Sequence, residues 1–241
     1  MARYETASVI INDVASEVGL TASSDPFASL DPAFITLGSL LTSVGRELLG
    51  MYPWQKMKST FTQTTHSVDS GKYDLPADYG YFLENTGWVV TTRFPLSGPF
   101  TPEDYSMIVG SANASAMIYL GFRETEGQIW VLPVPPPENY TFTIEYISLY
   151  WAKSAAGAVR DKDRITANDD IVYFPPILVV KMLKLRYLEA KGFDTTAALD
   201  QFNTALESWM PKDKVAMTLS MAGRSVIHYL DGDNIPEMNW G

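Results

Sequence analysis

Cysteine is absent from this 241-residue chain, and histidine occurs only twice. Without a thiol there can be no disulfide framework, zinc ribbon, iron–sulfur cluster or cysteine nucleophile, and a reducing compartment suits such a chain. Positive charge is also scarce, with 18 Lys and Arg against 28 Asp and Glu and a net charge of -10. The electrostatic footprint of a sequence-specific nucleic-acid binder is therefore missing. No apolar run approaches the roughly 18 residues of a membrane span. Glu5 and Asp13 interrupt the N-terminal segment before any long apolar stretch, so neither membrane spanning nor secretion is indicated. What is present is 46% hydrophobic and 19% charged residues, the balance of a folded soluble protein with enough length for one large domain or two small ones.

Periodicity divides the chain into helical ends and a strand-rich middle. Residues 6 to 18 place Val9, Ile10, Val14 and Val18 at helical spacing, with Thr6 and Ser8 as candidate caps and Gly19 as the stop. Asp31-Pro32 supplies an N-cap and a proline at the first helical position; Phe34, Leu37, Leu41, Val44 and Leu48 then recur at three- and four-residue steps up to about Gly50. From Lys58 the period changes to two, and strands are expected at 58–64, 72–75 and 80–90. Thr101-Pro102-Glu103-Asp104 opens a brief helix. Met117–Phe122 and Gln128–Leu132 flank a Gly-containing hairpin loop at Arg123–Gly127. Tyr140 to Leu149 alternates most cleanly, with Tyr140, Phe142, Ile144 and Tyr146 on one face and Thr141, Thr143 and Glu145 on the other.

Residues 152–169 are polar and long for a connection, which predicts a mobile or partner-contacting loop. After Pro175-Pro176 the chain turns helical up to Gly192. Ile177, Leu178, Val179, Val180, Met182, Leu183, Leu185, Tyr187 and Leu188 occupy nearly its whole circumference, so the helix must be covered on more than one side. A fourth helix is expected from Asp194 to about Met210, ahead of Pro211. The reading is α+β: terminal helices packed as a bundle (1–57 with 170–211), a central, mostly antiparallel β domain (58–151), the polar connection (152–169) and an extended C-terminal arm (212–241).

Sites for chemistry are wanting. His66 and His228 lack the spacing that sets two ligands on one helix face. No nucleophile elbow, phosphate loop or dinucleotide fingerprint occurs, so no enzyme activity and no cofactor are expected. The acidic runs around Asp161–Asp170 and Asp231–Asn234 fail as calcium loops: counted from Asp161, Thr166 stands where glycine is needed and Val172 where a bidentate glutamate is needed. Asn113-Ala114-Ser115 and Asn139-Tyr140-Thr141 match the glycosylation pattern by chance, given no secretory signal. Trp88, Trp130 and Trp151 on the β region could stack on sugars, but core or interface roles are the favoured reading, since strands are enriched in aromatics anyway.

The order of several segments resembles the head-to-tail adaptor proteins of short-tailed bacteriophages, the tail tubular protein A type. The resemblance spans roughly residues 5 to 205. It is carried by Arg46-Glu47-Leu48-Leu49 before Tyr52-Pro53-Trp54, by Tyr73-Asp74-Leu75-Pro76-Ala77-Asp78 with Thr86-Gly87-Trp88, and by Pro95–Pro99 running into Thr101–Tyr105. Gln128–Pro133, Thr143–Ser148 with Trp151, and Pro175-Pro176 opening the helix that ends Lys191-Gly192-Phe193-Asp194 complete it. The tail from Lys212 lies outside these segments, and Pro176 stands where such relatives more often carry an acidic helix start.

The resemblance implies a non-enzymatic structural protein of the virion, made in the host cytoplasm and placed at the head-tail junction. There it would form a homo-oligomeric, dodecameric ring between portal protein and tail nozzle protein and conduct double-stranded DNA. It also supplies neighbours for the apolar helix, making Leu183, Leu185, Tyr187 and Leu188 candidate subunit-interface residues. The C-terminal arm is too apolar for a solvated tail and too broken by its Asp-Gly-Asp-Asn turn and Pro236 for a helix. Val226, Ile227, Tyr229, Leu230, Met238 and Trp240 are its candidate contacts to portal or neighbour. A nozzle or other neck protein and a carbohydrate-binding module are the alternatives. Because neither acidic run completes a metal loop, EDTA is expected to leave the melting temperature unchanged; a fall of several degrees would reveal a structural ion.

Overall fold

The computed structural model describes residues 4–110 and 120–213. In chain order its elements are β1 (Glu5–Thr6), α1 (Ala7–Glu17), α2 (Pro32–Met51), β2 (Lys58–Thr64), β3 (Lys72–Asp74), β4 (Tyr79–Phe82), β5 (Trp88–Val89) and β6 (Phe94–Pro95). They continue with α3 (Pro102–Gly110), β7 (Gly121–Thr125), β8 (Gln128–Leu132), β9 (Thr141–Ser148), β10 (Ala152–Lys153), β11 (Ile171–Val172), α4 (Pro176–Lys191) and α5 (Thr196–Asp213). Helices before and after a block of antiparallel strands make the fold α+β.

Local signals account for most helix ends. Asp31 accepts a hydrogen bond from the Ala33 N–H at 2.8 Å, and Pro32 follows it where a missing N–H costs nothing. Gly192 ends α4 in the left-handed conformation, at φ 72°. Thr6 holds the N-cap position of α1 without a side-chain cap bond, and the first N–H groups of α1 reach the carbonyls of Asp170 and Asn168. Asp194 caps the next turn through the Thr196 N–H at 3.0 Å, and α5 runs on through Pro211 to Asp213. A proline in a last turn removes one backbone bond and need not stop the helix.

α4 is the centre of the larger core. Leu178, Val179, Val180, Met182, Leu183, Leu185 and Tyr187 are all buried, with α1, α2 and α5 packed around them. Glu17 of α1 binds Lys181 and Lys184 of α4 at 2.9 and 3.0 Å, which fixes the rim of that contact. At Gly45 a side chain would overlap the Trp151 ring, so glycine in mid-helix lets this indole lie flat on α2. Trp54, Trp151 and Phe174 fill the floor beneath α2 and α4.

The strands form a second core. β9 is the spine of one sheet, with β2 along one edge and β4 and β5 along the other. Phe142, Ile144 and Tyr146 point inward, as their alternation predicts, and meet Phe61, Tyr73, Phe122 and Ile129. The expected strand over 80–90 divides into β4 and β5 because Asn85 adopts φ 59° and the Thr86 hydroxyl bonds back to the Leu83 carbonyl at 2.7 Å. The β7–β8 hairpin is tighter than expected: Arg123, Glu124 and Thr125 stay in the strand, and only Glu126 and Gly127, both at positive φ, make the turn. Met117 lies outside the described residues.

Residues 152–169, expected to be a mobile or partner-contacting connection, are tied into the helical body. They contribute β10, which pairs with β11, and they bury Ile165 against α2. The Trp151 indole N–H donates to the Asp163 carbonyl at 2.9 Å, and Asp161 accepts from the Ser154 N–H at 2.7 Å.

Two substitutions test this core. Leu183→Asp is expected to stop the isolated subunit from folding, since an unpaired carboxylate in a covered apolar site costs several kcal/mol; circular dichroism of the free subunit reads this directly. Gly45→Ala is expected to destabilise by about 1–3 kcal/mol through overpacking, although alanine favours the helix by about 1 kcal/mol; urea unfolding gives the sign.

Candidate assembly surface

Leu183, Leu185 and Tyr187 sit in the chain's own core, at 0%, 4% and 6% exposure, and Leu188 packs partly buried against it. The circumference that called for neighbouring subunits is covered by α1, α2 and α5 of the same chain. Val226, Ile227, Tyr229, Leu230, Met238 and Trp240 lie outside the described residues.

Two polar centres hold the body in shape. Asp170 is buried and accepts from Lys162 Nζ at 2.7 Å and from the N–H groups of Thr166 at 2.8 Å and Ala167 at 3.0 Å. Burial alone would raise its carboxyl, but these three donors together outweigh it and hold the pKa below the ordinary value. The Asp170 carbonyl also receives the first N–H of α1. The acidic run that could have held a cation is thus a structural clasp. Among the described residues no group of three or more His, Asp or Glu is placed to bind a metal.

Arg160 is the second centre, and no sequence signal pointed to it. Its guanidinium donates to the Tyr150 carbonyl at 2.8 Å and to the Ser59 hydroxyl at 3.1 Å, so it bridges the start of β2 to the chain leaving β9. Burial lowers its pKa from the ordinary value. Beside it Asp78 accepts from the Tyr146 hydroxyl at 2.9 Å and the Ser148 hydroxyl at 2.6 Å; burial first, then this carboxylate, raise the Tyr146 hydroxyl to about 12.

On the β region, α3 buries none of its residues and is held by Tyr105 against Trp130, ring centres 5.8 Å apart. Lys72 Nζ lies 4.0 Å from the centre of the same indole. Trp130 is therefore engaged by its own chain and Trp151 is buried, which removes two of the three tryptophans from any sugar-stacking surface. Asp104 accepts from the Thr101 hydroxyl at 2.8 Å while Thr101 accepts the Asp104 N–H, a reciprocal cap at the N-terminus of α3. His66 is exposed and bonded to Glu138. The Ser67 N–H, with His66, holds that carboxylate down at about 2.

Two further surfaces meet near the start of β2. Asp213, at the end of α5, accepts the Gln55 N–H at 2.7 Å, so the described chain ends beside the 3-10 turn Gln55–Met57 that leads into β2. Among the described residues β2 pairs with β9 on one side only. The Thr141 and Glu145 carbonyls receive the N–H groups of Val90 and Leu83, while the Tyr140 carbonyl receives that of Thr65. Even-numbered residues of β9 therefore face β2, and the backbone groups of Thr60, Thr62 and Thr64 face outward.

With the geometry described, the comparison with protein families gives the class of protein. Residues 6–224 match the SU10 adaptor protein family. The chain belongs to that family and is a bacteriophage adaptor protein, a structural component of the virion. The adaptor reading of the sequence holds at this level, while the match is to the SU10 adaptor family and not to the tail tubular protein A type. A comparison with curated proteins gives no match. No helix among the described residues is long and apolar enough to cross a membrane.

Asp170→Asn is expected to cost about 3 kcal/mol, because it leaves Lys162 without its buried partner. Since the folded pKa is depressed, the carboxylate's contribution is whole above the unfolded value of about 3.9 and is lost as pH falls below it. Urea midpoints measured between pH 7 and pH 3 are expected to fall in the wild type and to fall less in the variant.

Proposed function

We propose that the chain forms a closed homo-oligomeric ring, dodecameric as the resemblance implies, between the portal of a short-tailed phage and its tail nozzle. Membership of the adaptor family across residues 6–224 is the observation that carries this reading. The net charge of -10 supports a DNA passage role, since a wall that repels phosphate lets DNA slide without adhering. The C-terminal arm joins partners: Met238 and Trp240 seat in pockets of the portal, and ordering of the arm waits for a surface that offers enough apolar burial.

Mixing the purified protein with portal rings tests this. Closed rings capping the portal in negative stain are expected, with native mass giving the copy number; subunits that stay free of portal would overturn the reading. Deleting residues 226–241 is expected to leave the free subunit's melting temperature nearly unchanged and to weaken portal binding at least tenfold, or about 1.4 kcal/mol.

A further inference from the structure

We propose that the outer edge of β2 accepts residues Val226–Leu230 of a neighbouring copy as an added strand. The proposal rests on the ring reading and assigns the contact that closes it. The edge carries the argument. Lys58–Thr64 pairs with β9 in unbroken register from Lys58↔Ile147 to Thr64↔Thr141, with no bulge and no proline. Lys58 is its only charge. Its first outward carbonyl, that of Lys58, lies 3.4 Å from the Arg160 guanidinium, and the Thr64 carbonyl receives the Gln63 amide. The outward N–H and C=O groups of Thr60 and Thr62 have no hydrogen-bond partner among the described residues. Proteins normally blunt such an edge with charge, proline, a bulge or a covering element. Here the edge has none of these along its middle.

The occupant follows from where the described chain ends. Asp213 is bonded to Gln55, and Gln55 stands three residues before the first residue of β2. Residues 214–225, twelve in all, can extend at most about 42 Å, enough to carry the next segment away from its own subunit. That segment, Val226-Ile227-His228-Tyr229-Leu230, is uncharged apart from any proton on His228 and rich in β-branched and aromatic residues. Five residues cover about 17 Å, the length of Thr60–Thr64. Alternation gives Val226, His228 and Leu230 one face and Ile227 and Tyr229 the other, so one set extends the apolar layer beneath Phe61. A segment given by one copy to the β2 edge of the next makes a head-to-tail contact, the kind that closes into rings.

The absence of cysteine makes the test clean. Thr62→Cys is combined in turn with Val226→Cys, Ile227→Cys, His228→Cys and Tyr229→Cys, and the assembled protein is oxidised and run on non-reducing gels. Covalent multimers extending to the ring are expected from at least one pair. Rings that form while giving only disulfide-linked monomers, or no disulfide, overturn the proposal and leave the ring reading intact; a wild type that makes no ring with portal overturns both. Thr62→Pro is the companion variant, because proline is tolerated on an edge strand where its missing N–H faces outward. It is expected to leave the free subunit's melting temperature unchanged and to weaken ring assembly at least tenfold. Assembly at wild-type strength would count against strand addition.

Discussion

One constraint shapes the molecule: α4 is apolar almost all the way round, and it cannot face water on any broad side. Covering it takes α1 and α2 from the start of the chain and α5 from the end, so the termini of the helical body are drawn together across the whole β region. Gly45 and Trp151 show how tightly this is done, since the indole occupies the place of a missing side chain on α2. Packing at this density leaves no freedom for the chain between β9 and α4, which must arrive at a fixed point on the bundle.

The polar residues of that stretch do the fixing. Asp170 gathers Lys162, two backbone N–H groups and, through its carbonyl, the start of α1. An ion at such a site would compete with bonds the fold already needs. Arg160 performs the corresponding task toward β2, and its hydrogen bonds to Tyr150 and Ser59 link the helical body to the strands. Both side chains are spent on holding two cores in one arrangement.

Two features of the β region are left uncovered by the described residues. α3 stands on it with none of its residues buried, and among the described residues no strand lies beside the far side of β2. Both belong to the strand-rich half, whereas the helical half satisfies its own apolar demand. The stability of the helical half resides in the cover around α4.

Periods and caps made much of this legible from the sequence. The alternation of Phe142, Ile144 and Tyr146, the Asp31-Pro32 start, the Gly192 stop and the all-round apolar character of α4 are local properties, set by backbone geometry that each residue carries with it. The order of motifs also pointed to an adaptor. What could not be read locally was which partner satisfied each demand. Leu183, Leu185 and Tyr187 required cover, and only packing decided that α1, α2 and α5 supply it within one chain. Polarity marked residues 152–169 as a loop, yet their hydrogen bonds reach partners more than a hundred residues away at Arg160 and Ile165. Strand pairing, likewise, is a long-range choice: the sequence determined that Lys58–Thr64 is a strand, and the tertiary structure alone decided that it lies along β9 with β4 and β5 on the opposite side, because that pairing joins segments far apart in the chain.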